Sequence, residues 1–585
     1  MASESYYIGI DVGTGSARAS IIKKDGTVVA SSTQETMTYR DPNDHRIFEQ
    51  STTNIWSSIS RAIKTCLEES KVAASAVKGL GFDATCSLAV TDLSGEPVVV
   101  TKGDKLGQHG DRNIVLWADH RAEKEAELIN STGSVVLDYV GGTMSLEMEV
   151  PKILWLKNHM TPTVFSRCQF FDLPDFLTYR ATTDSTRSTC SVTCKCSFVP
   201  KDGWQADFFH EIGLGQIVVD EYAQIGAAKG NVLTAGLPVG KGLSKRAAEE
   251  FGLVEGTPVG SGLIDAYAGW LGSVAVKANQ NEQLSDEASS LQEAKHRLAV
   301  VAGTSTCHIV QSPKGVFVNG VWGPYKNAVF SGWWMNEGGQ SSTGSLIDFT
   351  LTTHPAYSKL VEQGIQQQKN IHLVLRDILE KLRVENNVES LTELTKDMHM
   401  YPDFHGNRSP IADARMRGSI VGLELDSGLN DLARKYNITL ESIALQTRHI
   451  IDELNGNGHS ITSIYMSGGQ AKNRELMQLF ANACDMPVVL PAEDSAAVVL
   501  GAAMLGRFAA EAEAKGAKVK EMSGEQQAEL LWEIMVEMTP AGTLVVPNAS
   551  PREKRLLHAK YSIFRETIEI QKRWRKKMED ALDDS

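Results

Sequence analysis

No stretch of the chain stays apolar long enough to cross a membrane. The longest, roughly Ala496 to Leu505, is broken by Gly501 and falls short of the ~20 residues a bilayer requires. The opening MASESYYIGIDVGTGS has neither the basic nor the apolar region of a secretory signal. Cysteine is sparse, with eight in 585 residues, which excludes a disulfide scaffold. Cys190, Cys194 and Cys196 cluster, but no second Cys/His pair stands nearby at zinc spacing. Positive charge is in deficit: 58 basic against 72 acidic residues, a net charge of −14, argues against a protein that coats nucleic acid. A small anionic ligand stays open, because a phosphate site needs only a local positive field. Proline is scarce beside glycine, 18 against 49, and 42% of residues are hydrophobic, a balance of ordered globular chains. The expectation is a soluble, reduced, cytoplasmic protein with no nucleic-acid or membrane partner.

At roughly 100–200 residues per domain, the length asks for several domains or two large ones. Tyr6–Asp11 reads as a buried strand ending in an acid. After the tight turn Gly13-Thr14-Gly15-Ser16, Ala17–Lys23 and Thr27–Ser32 read as two strands joined at the Asp-Gly signal of Lys24-Asp25-Gly26. Thr53–Glu69 has helical spacing and Val77–Phe82 is strand-like. The opening pattern then returns: Leu298–Val301 is an apolar strand, followed by Gly303-Thr304-Ser305-Thr306, a strand over Cys307–Gln311, a turn, and a third strand over Val316–Asn319. A unit repeated once at this distance predicts two related lobes rather than a solenoid. Further on come a helix over Ser442–Leu454, a strand over Ile461–Met466, Ser467-Gly468-Gly469-Gln470, a helix over Asn473–Ala483 and a small-residue helix over Ser495–Ala510. This alternation predicts an α/β architecture. The polar segment 277–296 reads as an exposed loop with a helical stretch, and 571–585 as a solvated charged helix or frayed end.

Asp11-Val-Gly-Thr-Gly-Ser-Ala-Arg18 has the makings of a phosphate site. A glycine-rich hairpin turn lets backbone N–H groups and small hydroxyls reach phosphate oxygens, and the strand-end Asp11 can hold Mg²⁺ directly or through water. A Gly-Thr-Gly turn alone is equally compatible with a purely structural hairpin. It is neither a P-loop nor a Gly-x-Gly-x-x-Gly that opens a helix, so a dinucleotide fold is disfavoured. The second turn at Gly303–Thr306 strengthens the phosphate reading, since two equivalent turns can clasp a polyphosphate from both sides. Gly468 and Gly469, between a strand and a helix, leave room for a flat adenine and its ribose.

From Tyr6 to about Gly506 this set, in this order, resembles the FGGY carbohydrate kinases. Asp11–Arg18 resembles the family's first phosphate motif, Gly303–Thr306 its second and Ser467–Gln470 its adenosine motif, while Phe404–Leu423 resembles the segment before its C-terminal signature. The resemblance implies two actin-like (ribonuclease H-like) domains flanking a deep catalytic cleft, with ATP and Mg²⁺ as cofactors. The expected division is 1–264, 265–510 and a C-terminal helical extension over 511–585, packed on or trailing from the second domain. Gly262–Gly269 resembles the catalytic-base motif, so Asp265 is the expected general base; without the resemblance it reads as a helix N-cap, and the two roles coexist. Asp265 and Asp11 are the expected Mg²⁺ ligands. Gly13, Thr14, Ser16, Arg18, Gly303, Thr304, Gly468, Gly469 and Gln470 are the expected ATP contacts, Arg18 stabilising charge on the transferred group.

Several stretches look most like the ribulokinase branch. Gly81–Cys86 and Leu116–Arg121 are similar to FGGY-type D-ribulokinases, and Gly303–His308 and Asn336–Gln340 to bacterial L-ribulokinases. Asp83, Trp117, Asp119, Lys195 and Glu337, with Asp265, are therefore the expected sugar contacts. Lys195 corresponds only loosely, its Cys neighbours differing from the family's His-Lys segment. The expected reaction is phosphorylation of the terminal hydroxyl of a ketopentose, D-ribulose ahead of L-ribulose, with xylulose or glycerol kinases further back. Actin- or Hsp70-type ATPases, which keep both phosphate turns but need no sugar carboxylates, are the rival from another class; a catalytically silent sugar sensor is weighed against by the Asp265 motif. A homodimer is left open.

Overall fold

A computed structural model describes residues 4–226, 232–280, 283–284, 289–492, 497–515 and 522–583. The first lobe is built on β1 (Tyr6–Val12), β2 (Ser16–Lys23), β3 (Val28–Glu35), α1 (Thr52–Ser70) and β4 (Val77–Ala84). Helices α2 (Glu149–His159) and α3 (Thr189–Cys194) follow, then β5 (Leu263–Ile264) and α4 (Asp265–Leu271). The five strands form one sheet in the order β5-β4-β1-β2-β3, with β1–β2–β3 antiparallel and β1, β4 and β5 parallel. Near-continuous burial along β1 and β4 is what a sheet covered on both faces demands.

The second lobe repeats this plan. Its strands are β6 (Arg297–Ala302), β7 (Thr306–Ser312), β8 (Trp322–Lys326) and β9 (Trp334–Gln340). After α5 (Leu429–Gly456) come β10 (Ser463–Ser467), α6 (Arg474–Cys484), β11 (Val488–Leu490) and α7 (Ala497–Ala514). Within the larger sheet the order β9-β7-β6-β10-β11 and the strand directions reproduce those of the first lobe. These are the two ribonuclease H-like lobes of an α/β protein. The third strand of the repeat is β9, however, not Val316–Asn319. After Ser312 the chain leaves the sheet, adds β8 as an outer edge, and returns with β9 paired along the whole of β7.

Helices α4 and α7, which leave the last strand of each lobe, cross to the other. Gly269 on α4 packs against Val301 of β6, while α7 lies on β1 and β4. A Cβ on Gly81 would stand 1.9 Å from the Ala502 carbonyl oxygen, and one on Gly501 2.0 Å from that of Ala268. Only a stripe of small residues allows backbones this close. The first turns of both crossing helices line the cavity between the lobes, through Asp265 and Val498, while the start of α7 packs against the end of α4 at Gly272; Ser495, the expected start of α7, lies outside the described residues. The 511–585 segment carries α8 (Gly524–Met538), β12 (Gly542–Val545) and α9 (Pro551–Asp583). β12 pairs with β11, and α9 buries Leu557, Tyr561, Phe564 and Ile568. Its far end, including Trp574, is exposed. Of the 277–296 segment, residues 281–282 and 285–288 lie outside the described residues; 278–280 and 283–284 pair as short antiparallel strands, and Leu291–His296 forms a 3₁₀ turn that buries Leu291 and Ala294. Among the described residues, no helix is long and apolar enough to cross a membrane.

Candidate active site

A cavity of about 310 Å³ opens between the lobes, lined by residues of both: Asp11, Thr14, Trp117, Lys195 and Asp265 on one side, Gly303, Thr304, Glu337 and Arg408 on the other. The two glycine turns face it as equivalents. The Gly13 amide donates to the Ser16 carbonyl at 3.0 Å, and the Gly303 amide to that of Ser305 at 2.9 Å. Thr14 is fixed by the Gln50 side chain, which donates to its carbonyl at 2.8 Å, and by the Trp117 indole, which donates to its hydroxyl at 3.0 Å. The second turn is held by the Gln470 amide, 2.7 Å from both the Gly303 carbonyl and the Thr343 hydroxyl. Gly468, at φ +89°, lies so close to β6 that a Cβ would approach the Ala302 carbonyl oxygen to 2.4 Å. Gly469 is exposed at the same corner. Gly13, Ser16, Gly468, Gly469 and Gln470 thus sit around the turns, outside the cavity lining itself.

Asp265 opens α4 at the cavity floor and accepts a 2.7 Å hydrogen bond from the Ala266 amide. Burial, and after it the charge of Asp11, pushes its carboxyl up to about 7. Asp11, at the end of β1, is also shifted upward by burial, against the pull of Arg18. Arg18 lies in register with Asp11 across β1 and β2 and donates from Nε to Thr33 Oγ1 at 3.3 Å, and its charge favours the ionised form of Asp11.

Two expected sugar contacts are corrected. Asp83 is fully buried, in register with Asp11 on one side and Leu263 on the other, and stands beneath the cavity rather than in it. Burial, then the charges of Asp11 and Asp265, drives its carboxyl well above the usual range, which favours the neutral form beside these two half-buried acids. Asp119 is 1% exposed. It accepts from Arg121 Nε at 2.9 Å and Nη2 at 2.7 Å, and from the Phe48 amide at 2.8 Å. It organises the loop that carries Trp117 and does not line the cavity. Trp117, Lys195 and Glu337 do line the cavity. Glu337 bonds the Tyr267 hydroxyl and Arg408; burial opposes its charge, but Arg408 and Lys195 hold its carboxyl below the ordinary value. The ammonium of Lys195 lies 4.4 Å from the centre of the Trp322 ring.

Four residues here went unassigned in the sequence. Glu147 and Arg408 line the cavity; Trp322 sits behind Lys195 and Arg408; and Lys152 of α2 donates to the Leu116 carbonyl at 2.8 Å, pinning the Trp117 loop from below. Arg408 falls within the family-like stretch Phe404–Leu423, but nothing local marks it. Among the described residues, no group of three or more His, Cys, Asp or Glu side chains is arranged to hold a metal. Asp11 and Asp265 nevertheless both face the cavity, and Mg²⁺ bound with nucleotide phosphates needs only one or two carboxylates, so these residues fit it.

The N-terminal domain of the FGGY family of carbohydrate kinases matches residues 6–272, and its C-terminal domain residues 298–510. A D-ribulokinase of Saccharomyces cerevisiae is 44% identical over 86% of this chain and 72% of its own length. An FGGY carbohydrate kinase domain-containing protein of Homo sapiens is 38% identical over 99% of this chain and 98% of its own. A Staphylococcus epidermidis ribulokinase is more distant, at 28% over 86% and 89%. Among solved structures, a Rhodospirillum rubrum xylulose kinase superposes with a TM-score of 0.72 at 17% identity, covering 97% of this chain and 99% of that one. Plasmodium falciparum glycerol kinase with ADP does so at 0.68 and 15%, covering 96% and 98%. With both domain matches in order around one two-lobed cavity, the chain belongs to the FGGY family of carbohydrate kinases.

Proposed function

We propose that the protein transfers the γ-phosphoryl group of ATP to the terminal hydroxyl of a ketopentose, D-ribulose in preference to L-ribulose, forming D-ribulose 5-phosphate. The observation that carries this reading is that Asp265 lines one cavity together with residues of both glycine turns and with Trp117, Lys195 and Glu337. A carboxyl raised to about 7 can accept a hydroxyl proton at neutral pH. Thr14 and Thr304 bring hydroxyls to the cavity for phosphate oxygens, Gly303, whose amide is turned to Ser305, lets the phosphates approach the backbone, and Gly468 and Gly469 leave space for adenosine. Asp11 and Asp265 would hold Mg²⁺, which spreads the charge of the transferred group when bound. The preference for D-ribulose rests on the 44% identity to a D-ribulokinase. The proposed functional division runs 1–264, 265–510 and the 511–585 extension, its first boundary set where α4 leaves the first lobe's sheet to cross to the second. All eight cysteines are unpaired, in keeping with a reduced, cytoplasmic setting.

Asp265→Asn tests the assignment. Loss of the base should lower kcat by roughly 10²–10⁴-fold while the sugar KM moves little, in an assay that identifies the phosphorylated pentose by mass. Near-native turnover of every saturating pentulose by the variant would remove Asp265 from that role.

A further inference from the structure

Arg408 stands in a slot built for it. Its guanidinium carbon lies 3.9 Å from the centre of the Trp322 ring, a stacking distance for a planar cation on an aromatic face. On another side Gly339 of β9 leaves the space it needs: a Cβ there would be 2.6 Å from Nε. Nη2 donates to Glu337. Nη1 meets the Cys307 sulfur at 3.8 Å and remains 3.9 Å from Glu147 of the other lobe. A guanidinium carries two N–H groups on each terminal nitrogen, so the contacts leave donors over. The side chain is 9% exposed, and what it exposes belongs to the cavity that holds Asp265.

We propose that Arg408 is a sugar-binding residue: it donates hydrogen bonds to an oxygen of the bound pentulose and fixes the sugar relative to Asp265. This rests on the kinase reading above and deepens it. The charge balance selects a neutral ligand at this end. Lys195 and Arg408 are matched by Glu147 and Glu337 around the same cavity, so no net positive field remains to hold a second anion. A polyhydroxylated, uncharged molecule suits alternating donors and acceptors of this kind. Trp322, in register with Glu337 across β8 and β9, carries Arg408 from its own lobe and Lys195 from the other on one ring. Both cations are thereby aligned before the sugar arrives, which lowers the cost of ordering them on binding.

The test combines Arg408→Met, Arg408→Lys and Gly339→Ala with steady-state kinetics on the preferred pentulose and calorimetric ADP affinity. Loss of a charged hydrogen bond predicts a rise in sugar KM of about ten- to a hundredfold for Arg408→Met, with ADP affinity unchanged. Arg408→Lys should recover part of it. Gly339→Ala keeps the guanidinium but displaces it, and should raise the sugar KM in the same direction. A wild-type sugar KM in a folded, ADP-binding Arg408→Met enzyme would overturn the proposal. So would a parallel loss of sugar and ADP affinity, which marks an architectural role. If the unaltered enzyme turned over none of the pentuloses, the kinase reading would fail and this inference with it.

Discussion

Asp265 is where burial and chemistry meet. Desolvation and the neighbouring Asp11 disfavour its charged form and raise its carboxyl to about 7, far above an ordinary aspartate. A base works only when ionised, so the sign is fixed: kcat/KM should climb with pH below about 7 and level off above it, because this ratio reports the free enzyme. A flat profile through neutrality would detach catalysis from this carboxyl. Asp265 was singled out by the resemblance of Gly262–Gly269 to a catalytic-base motif, since the local pattern by itself reads as a helix N-cap. Asp83 and Asp119 look just as suitable in the sequence, yet one is buried beneath the cavity and the other is spent on Arg121. Which carboxylate faces a cavity depends on what covers it, and the covering residues are remote. For the same reason Arg408 and Trp322 are invisible locally: the pair lies 71 and 15 residues, respectively, from Glu337.

At the scale of elements, the crossing helices do the joining. α7 is rich in Ala and Gly because its backbone touches β4 and α4 directly. Gly81→Ala should therefore destabilise the protein by about 1–3 kcal/mol or more through overpacking against the Ala502 carbonyl, visible as a lower Tm. An unchanged Tm would mean that α7 can move off the sheet without penalty. The strands and helices flanking the glycine turns were readable from period and turn chemistry: the sequence-based bounds of β1 and α6 lie within a residue or so of the observed ones. The third strand of the second lobe was not. Val316–Asn319 has the apolar content of a strand, but a strand exists only where a partner edge is offered, and β7 offers its edge to β9.

For the whole molecule, one plan used twice produces one cavity. Each lobe contributes a glycine turn at the same step of its sheet, and the two crossing helices bring Asp265 and Val498 to the floor between them. Glu147 and Arg408, on opposite lobes and 3.9 Å apart, are positioned to draw together if the lobes close on a sugar, which would exclude water from the phosphoryl group. A sugar kinase of this design should hydrolyse ATP slowly when no sugar fills the site. ADP release measured with D-ribulose, L-ribulose, D-xylulose, L-xylulose, ribitol, glycerol and no sugar tests this most directly. The predicted result is the highest kcat/KM with D-ribulose and the lowest rate with no sugar. An ADP release rate that is the same with and without every sugar would contradict the account and favour a nucleotide-driven conformational protein instead.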